Sequence, residues 1–219
     1  MNRIISPSLL SADFSILKEQ IDIVKKAGAK RLHIDCMDGH FVPNFTFGPF
    51  IVKAIRKLTD LHLETHLMID NPSNYFDDFI KAGSDTLIFH YEASNDVMSD
   101  LEKIKSKNVK CGLAIKPETS HEVLEEFLDI LDYILIMSVS PGFGGQGFIE
   151  DTLLKMKLTH EMCMKNDCRN KITIGVDGGV NLSTIDRVYD TGVDVTVVGS
   201  GLYKADNIID RFKELENQR

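Results

Sequence analysis

The sequence of 219 residues lacks tryptophan and contains only four cysteines. The cysteines, at positions 36, 111, 163 and 168, form no CxxC pair and no dense framework, so we expect reduced thiols. No stretch approaches the ~18 apolar residues that suggest a membrane span, and the opening segment shows no apolar export signal. We therefore expect a cytoplasmic protein without a membrane partner.

The sequence also lacks an excess of positive charge, because it contains 25 Lys and Arg but 33 Asp and Glu, which gives a net charge of -8. A long-range field that attracts nucleic acid or anionic lipid is thereby absent, and no nucleic-acid partner is expected. Any phosphate must be held by local groups. Hydrophobic residues make up 43% and charged residues 26%, which is typical of a globular protein.

Eight short β-branched runs alternate along the chain with segments of helical period, such as 14–27 and 182–191. This alternation predicts repeated βα units and a parallel sheet. We predict a single (β/α)₈ TIM barrel, one catalytic domain over residues 1–219. The predicted strands begin near Ile4, Arg31, Leu61, Thr86, Lys110, Tyr133, Lys171 and Val195.

Three glycines, Gly28, Gly83 and Gly192, each end a predicted helix and precede an apolar strand. Glycine suits a helix C-cap because that position needs positive φ. The spacings of 55 and 109 residues are about two and four units of roughly 27, which is 219 divided by eight. A closed barrel is favoured, although such glycines cap helices in any α/β protein and a doubly wound sheet stays an alternative.

Four polar residues fall at predicted strand ends, where barrels of this type carry their active sites. His33 and Asp35 lie on the second strand, and their i, i+2 spacing turns both side chains to one face. His66 lies near the end of the third strand and Asp177 ends the seventh. Alone, each is explained by a core hydrogen bond or a helix cap, but together they include two carboxylates without partners. This combination predicts a site for Zn²⁺, Fe²⁺ or Mn²⁺.

Glycine-rich segments follow the sixth, seventh and eighth strands, at the usual phosphate position of this fold. Backbone N–H groups in such loops bind a dianion without a basic surface, and no Gly-Lys-Ser/Thr follows to make a nucleotide P-loop. His90 ends the fourth predicted strand and is a candidate pocket-lining residue. The predicted phosphate-binding residues are Gly142, Phe143, Gly144, Gly145, Gly178, Gly179, Gly199 and Ser200.

Longer motifs join these residues: 6–14 (SPSLLSADF), 33–44 (HIDCMDGHFVPN), 66–68 (HLM), 137–139 (MSV), 141–146 (PGFGGQ) and 176–179 (VDGG). In this order they resemble the ribulose-phosphate 3-epimerase family, from Ser6 to about Tyr203. The resemblance implies one divalent ion per subunit, Zn, Fe, Mn or Co. Its ligands would be His33, Asp35, His66 and Asp177.

By the same resemblance, Asp35 and Asp177 would also exchange protons with the substrate, and Ser8, His66 and Asp177 would contact it. Three methionines would line the pocket around the reacting carbons: Met37, Met68 and Met137. Gly175 departs from the pattern, since relatives usually carry Glu two residues before the aspartate of the seventh strand. Support for Asp177 from that side is therefore expected to be missing.

The implied reaction is two-base epimerisation at C3 of a ketose phosphate, D-ribulose 5-phosphate to and from D-xylulose 5-phosphate. A six-carbon ketose phosphate such as D-allulose 6-phosphate is an alternative substrate, and a non-catalytic phosphate-binding barrel is an alternative of another class. A decarboxylase or aldol-type synthase fits less well, because no Asp-x-Lys-x-x-Asp arrangement is present. The resemblance also implies a homo-oligomer, either dimer or hexamer.

Overall fold

The fold is built on eight parallel strands, and the computed structural model describes residues 3–218. The strands are β1 (Ile4–Pro7), β2 (Arg31–Met37), β3 (His62–Met68), β4 (Thr86–His90), β5 (Lys110–Ile115), β6 (Tyr133–Met137), β7 (Thr173–Asp177) and β8 (Val195–Val198). They pair in the order β1-β8-β7-β6-β5-β4-β3-β2. A parallel bridge between Ser8 and His33 joins the two ends of this order. The sheet therefore closes, which confirms the barrel and excludes an open doubly wound sheet.

Helices cover the outside of the barrel. They are α1 (Leu17–Ala27), α2 (Pro49–Leu58), α3 (Phe76–Ala82), α4 (Val97–Lys105), α5 (Thr152–Lys165), α6 (Ile185–Tyr189), α7 (Ser200–Tyr203) and α8 (Ile208–Asn217). Between β5 and β6 the connection contains a 3₁₀ helix, His121–Phe127. None of the helices formed by residues 3–218 has the length and apolarity needed to cross a membrane. The cytoplasmic location stays a prediction.

Six of the eight strands begin at the predicted residue, whereas β3 begins at His62 and β7 at Thr173. The later start of β7 has a local cause, because the N–H groups of Lys171 and Ile172 both donate to the carbonyl of Cys168. These two residues therefore belong to a turn. Of the predicted domain, residues 1, 2 and 219 lie outside the described part of the chain, so its bounds stay a prediction.

The helix ends also differ from the predicted segments. The predicted helix 14–27 is a 3₁₀ turn, Phe14–Ile16, followed by α1, because the Asp13 carboxylate accepts from Ser15 N and caps the turn. The predicted helix 182–191 is shorter in the structure, where α6 spans only Ile185–Tyr189. Gly28 and Gly83 cap α1 and α3 as predicted, with φ of 124° and 107°. For Gly192 the prediction was wrong, because α6 ends at Tyr189 with Asp190 as its C-cap, and Gly192 (φ of 93°) lies in the turn beyond it.

Strand residues alternate between two buried clusters. On β6, Leu135 and Met137 point into the barrel, while Ile134 and Ile136 pack beneath the helices. The period of two along a strand produces this alternation. It also decides which polar residues reach the barrel interior, and that register positions the candidate site.

Candidate active site

Strand register brings the predicted ligands together inside the barrel. On β2 the outward residues Ile34 and Cys36 belong to the outer core, so His33 and Asp35 take the inward positions. Asp35 is paired directly with His66 on β3. Asp177 is the last residue of β7 and lies near both. The i, i+2 spacing read from the sequence thus acts as predicted, although β2 continues for two residues beyond Asp35.

One atom from each of His33, Asp35, His66 and Asp177 lies within 4.8 Å of the other three. His33 Nε2 is 3.3 Å from His66 Nδ1, and Asp35 Oδ1 is 3.4 Å from each of these nitrogens. Asp177 Oδ2 is 3.7 Å from His33 Nε2 and 3.6 Å from His66 Nδ1. Two ligand atoms about 2.1 Å from a tetrahedral ion lie about 3.4 Å apart. The four residues therefore fit a divalent metal ion.

The charges of the metal-free cluster favour a protonated His33 and an ionised Asp35, so metal binding would displace a proton from His33. Burial opposes the charge on His33, but the carboxylates of Asp35, Glu64 and Asp177 outweigh burial and raise its pKa well above the usual value. Burial likewise opposes ionisation of Asp35, yet His33 and His66 lower the pKa of its carboxyl. The carboxyl of Asp35 is therefore held in its ionised form, the form in which a carboxylate binds a metal ion.

Ser8 contacts the carboxylate of Asp35. Its hydroxyl donates to Asp35 Oδ2 over 2.6 Å, while Asp35 Oδ1 faces the two histidines. The bridge to His33 holds Ser8 against β2. One carboxylate oxygen thus faces the metal position and the other is held by Ser8. Contact between Ser8 and a substrate stays a prediction.

A cavity of about 240 Å³ opens above this cluster at the carboxyl ends of the strands. His33 and His66 are fully buried beneath it, so a direct contact of His66 with substrate also stays a prediction. Asp35 and Asp177 line the cavity, whereas the two imidazoles do not. All other predicted site residues line it: Ser8, Asp35, Met37, Met68, Met137, Gly142, Phe143, Gly144, Gly145, Asp177, Gly178, Gly179, Gly199 and Ser200.

Two glycines let the loop after β7 lie against the loop after β6. Gly178 has φ of 119°, and a Cβ there would lie 2.4 Å from Val139 Cγ2. Gly179 has φ of 65°, and its Cβ would lie 2.6 Å from the backbone N of Phe148. Larger residues are excluded at both positions by φ and by space. The three glycine-rich segments form one wall of the cavity. Their role in phosphate binding stays a prediction.

Lys204 was not identified from the sequence. Among residues 3–218 it is the only basic side chain that lines the cavity, and it lies just after the short helix α7. Its position three residues beyond Gly201, close to a predicted phosphate-binding loop, could have identified it in the sequence. A positive charge next to the glycine-rich wall complements a phosphate group.

Glu64 is a second site residue that was not predicted from the sequence. It is buried on β3 two residues before His66, where it accepts from Ser6 Oγ over 2.7 Å and pairs with Arg31. Its Oε2 is 3.7 Å from His33 Nδ1. Burial opposes ionisation, but His33, Arg31 and Ser6 lower its pKa to about 2. Glu64 is therefore a fixed negative charge beneath His33. Its place two residues before His66, on the same face of β3, could have identified it in the sequence.

Gly175 has a structural explanation. An added Cβ at this position would lie 2.2 Å from the hydroxyl of Tyr133 and 2.7 Å from its Cζ. Tyr133 is buried inside the barrel. The phenol ring thus fills the space into which a larger residue at 175 would project, which accounts for the absence of glutamate there.

We expect Gly175→Ala to lower the free energy of unfolding by about 1–3 kcal/mol, because overpacking a close-packed interior forces side chains off their rotamers. Chemical denaturation measures this change. Gly147→Ala is the matched control, since a Cβ at Gly147 meets nothing within 4 Å. Equal stability of the two variants would show that Tyr133 moves aside freely.

His90 does not line the cavity, which corrects its interpretation as a pocket residue. It is fully buried at the end of β4, and its Nε2 is 2.9 Å from His66 Nε2. Burial lowers its pKa to about 4, against the opposing effect of Glu92. His90 thus lies on the far side of His66 from the ligand cluster.

Comparison with known proteins agrees with this geometry. The sequence profile described as "Ribulose-phosphate 3 epimerase family" matches residues 4–203. The ribulose-phosphate 3-epimerase of Bacillus subtilis (strain 168) is 46% identical over 199 residues, which are 91% of each chain. That of Synechocystis sp. is 42% identical over 220 residues, covering 100% of this chain and 95% of the relative. These matches span nearly the whole barrel.

Among solved structures, KGPDC from Streptococcus mutans has a TM-score of 0.73 and 15% identity, with coverage of 100% of this chain and 97% of the other. At this identity the likeness concerns the fold alone. The sequence matches show the family as well as the fold, because they exceed 40% identity over nearly all of both chains. They confirm the prediction of an enzyme over a non-catalytic barrel. The chain belongs to the ribulose-phosphate 3-epimerase family of isomerases.

Proposed function

We propose that the chain interconverts D-ribulose 5-phosphate and D-xylulose 5-phosphate by metal-dependent epimerisation at C3. The observation that carries the proposal is the pairing of a four-ligand cluster with two carboxylates that also line the cavity. The names of the relatives support the pentose phosphate.

His33, Asp35, His66 and Asp177 would hold one divalent ion, Zn²⁺, Fe²⁺, Mn²⁺ or Co²⁺. When bound, such an ion polarises a substrate carbonyl and offsets the negative charge that develops on its oxygen. The two imidazoles would supply nitrogen ligands from below, His33 after loss of its proton. The two carboxylates supply the remaining ligands from positions that substrate can also reach.

Asp35 and Asp177 would act as the two bases. They belong to β2 and β7, with β1 and β8 between them, so they approach the cavity from different sides. One carboxylate removes the C3 proton from one face of the sugar, and the acid form of the other delivers a proton to the opposite face of the planar enediolate. Inversion requires two groups because a single fixed base returns the proton to the face it came from.

The glycine-rich wall would bind the phosphate through backbone N–H groups of the loops after β6, β7 and β8, and Lys204 would add a positive charge. Phosphate binding at this end of the cavity fixes the sugar, so the binding energy positions C3 between the carboxylates.

An assay of ribulose 5-phosphate beside allulose 6-phosphate tests the function. We expect the metal-loaded protein to form xylulose 5-phosphate with a kcat/KM higher than for the six-carbon substrate. Faster turnover of allulose 6-phosphate would assign the longer ketose instead. Loss of both reactions in metal-loaded protein would contradict the proposal.

We also infer a homo-oligomer, either dimer or hexamer. Apolar side chains are exposed on the segments after β1 and β2, among them Phe45 at 75% and Phe50 at 81%. An apolar surface of this kind is typical of a subunit interface. Light scattering that gave only the monomer mass at micromolar concentration would contradict this inference.

A further inference from the structure

A line of hydrogen-bonding groups leads away from the ligand cluster through His66. The ring of His66 turns Nδ1 toward Asp35 and Asp177, and its Nε2 is 2.9 Å from His90 Nε2. His90 Nδ1 is 3.1 Å from Glu92 Oε2. The line ends on the segment after β5, where Glu92 Oε1 accepts from the backbone N–H of Lys116 over 2.8 Å and from the Thr119 hydroxyl.

The hydrogen positions along this line follow from its last member. Glu92 is an acceptor, so the hydrogen between it and His90 must be carried by His90 Nδ1. A neutral His90 then has its lone pair on Nε2, which can only accept from Nε2–H of His66. The lone pair of neutral His66 is therefore on Nδ1, which faces the ligand cluster. The carboxylate of Glu92 thereby determines which nitrogen of His66 is free for a metal ion.

Packing holds His90 in this orientation. Its ring centroid lies 5.0 Å from that of His66, with the planes 29° apart, and 4.8 Å from that of Phe41. The ammonium group of Lys116 lies over the ring of Phe41, 4.0 Å from its centroid. Rotation of the His90 ring would therefore disturb its packing against both rings. A ring held in place transmits the hydrogen-bond pattern from Glu92 to His66.

We propose that His90 and Glu92 are positioning residues that set the tautomer of His66 and so raise its affinity for the metal ion. Neither residue lines the cavity, so neither touches substrate. His33 lacks a comparable line, because its Nδ1 is 3.7 Å from Glu64 Oε2, beyond hydrogen-bonding distance. The proposal rests on the proposed function through its metal site, and the tests below are measured apart from epimerisation.

Glu92→Gln is the sharpest test. In this variant the amide oxygen keeps the two donors from Lys116 and Thr119, so the amide NH₂ group turns to His90 Nδ1. His90 must then accept at Nδ1 and carry its hydrogen on Nε2, where it meets Nε2–H of His66. To relieve this conflict His66 moves its hydrogen to Nδ1, the metal-facing atom. We expect Zn²⁺ to bind about 10–100-fold more weakly, as loss of outer partners of ligands usually causes.

Two controls separate this effect from general damage. Glu118→Gln removes the same charge from an exposed position on the segment that carries Thr119, and should leave the Zn²⁺ dissociation constant unchanged. In a His90→Gln background, Glu92→Gln should cause little further loss, because the connection is already cut. A purely structural role of Glu92 would instead give additive losses in the double variant.

The ¹⁵N chemical shifts of the His66 ring report the tautomer directly. We expect metal-free wild-type protein to show the hydrogen on Nε2, and Glu92→Gln to show it on Nδ1. A hydrogen on His66 Nδ1 in the wild-type protein would overturn the proposal even if every variant failed to fold. Unchanged Zn²⁺ affinity in folded Glu92→Gln would do the same. An inactive protein with the expected shifts and affinities would count against the proposed function alone.

Discussion

Asp177→Asn is expected to lower the rate of C3 epimerisation by about 10²–10⁴-fold, the usual contribution of a positioned acid–base group. The amide is isosteric and its oxygen still fits the ligand cluster, but it cannot take up or deliver a proton. Asp35 remains intact on the other side of the cavity. Steady-state conversion of ribulose 5-phosphate to xylulose 5-phosphate measures the loss.

The same variant separates the two faces of the reacting carbon. In D₂O, Asp35 should still remove the C3 proton from the one epimer that presents it to Asp35, and return deuterium to that face. Asp35→Asn should shift the residual exchange to the other epimer. Proton NMR of both epimers follows this exchange without any net epimerisation.

Metal content must be equal in the two variants, because each aspartate is also a proposed ligand. Asp70→Asn is the matched control, since Asp70 is an exposed carboxylate just beyond the end of β3 and does not line the cavity. Its activity should equal that of the parent protein. Equal exchange of both epimers by each metal-loaded variant would indicate a single mobile base and contradict the assignment of opposite faces.

Removal of the metal ion is expected to cost about 10³-fold or more in turnover, since Lewis-acid stabilisation contributes several kcal/mol and each ~1.4 kcal/mol is tenfold. Dialysis against a chelator should abolish activity, and one equivalent per subunit of Zn²⁺, Fe²⁺, Mn²⁺ or Co²⁺ should restore it. The ion that restores the highest rate identifies the best cofactor in solution.

Two histidines of the same strand provide a matched comparison for the metal requirement. His66→Ala removes a proposed ligand, whereas His62→Ala removes a residue at the opposite end of β3 that bonds to Thr86 Oγ1. We expect only His66→Ala to lower the bound metal measured by elemental analysis. Full turnover by protein shown to be metal-free would refute the requirement.

The sequence predicted the four residues that the structure brings together, in part because strand side chains alternate with a period of two. That rule put His33 and Asp35 on one face, and strand order put His66 beside Asp35. Distances could not be predicted, since they depend on the closure of the barrel. Closure joins β1 to β2, and it is this contact that brings Ser8 to the carboxylate of Asp35.

The supporting residues escaped prediction for a related reason. Glu64 was within two residues of a predicted ligand, but its partners Ser6 and Arg31 come from other strands. The prediction of His90 as a pocket residue was wrong, because a strand-end position does not show which of two rings lies nearer the cavity. The distance of each buried side chain from the cavity depends on rotamers and packing, which local sequence does not encode.

By itself, the sequence determined the repeated βα units, two of the helix-ending glycines and the residue types of a metal site, because these depend on local periodicity and backbone conformation. Only the tertiary structure decided how these residues meet. Tyr133 occupies the space beside Gly175, and Glu92 reaches His66 through His90, across contacts between separate strands. Packing inside a closed barrel is a property of all eight strands together, so one strand's sequence cannot specify it.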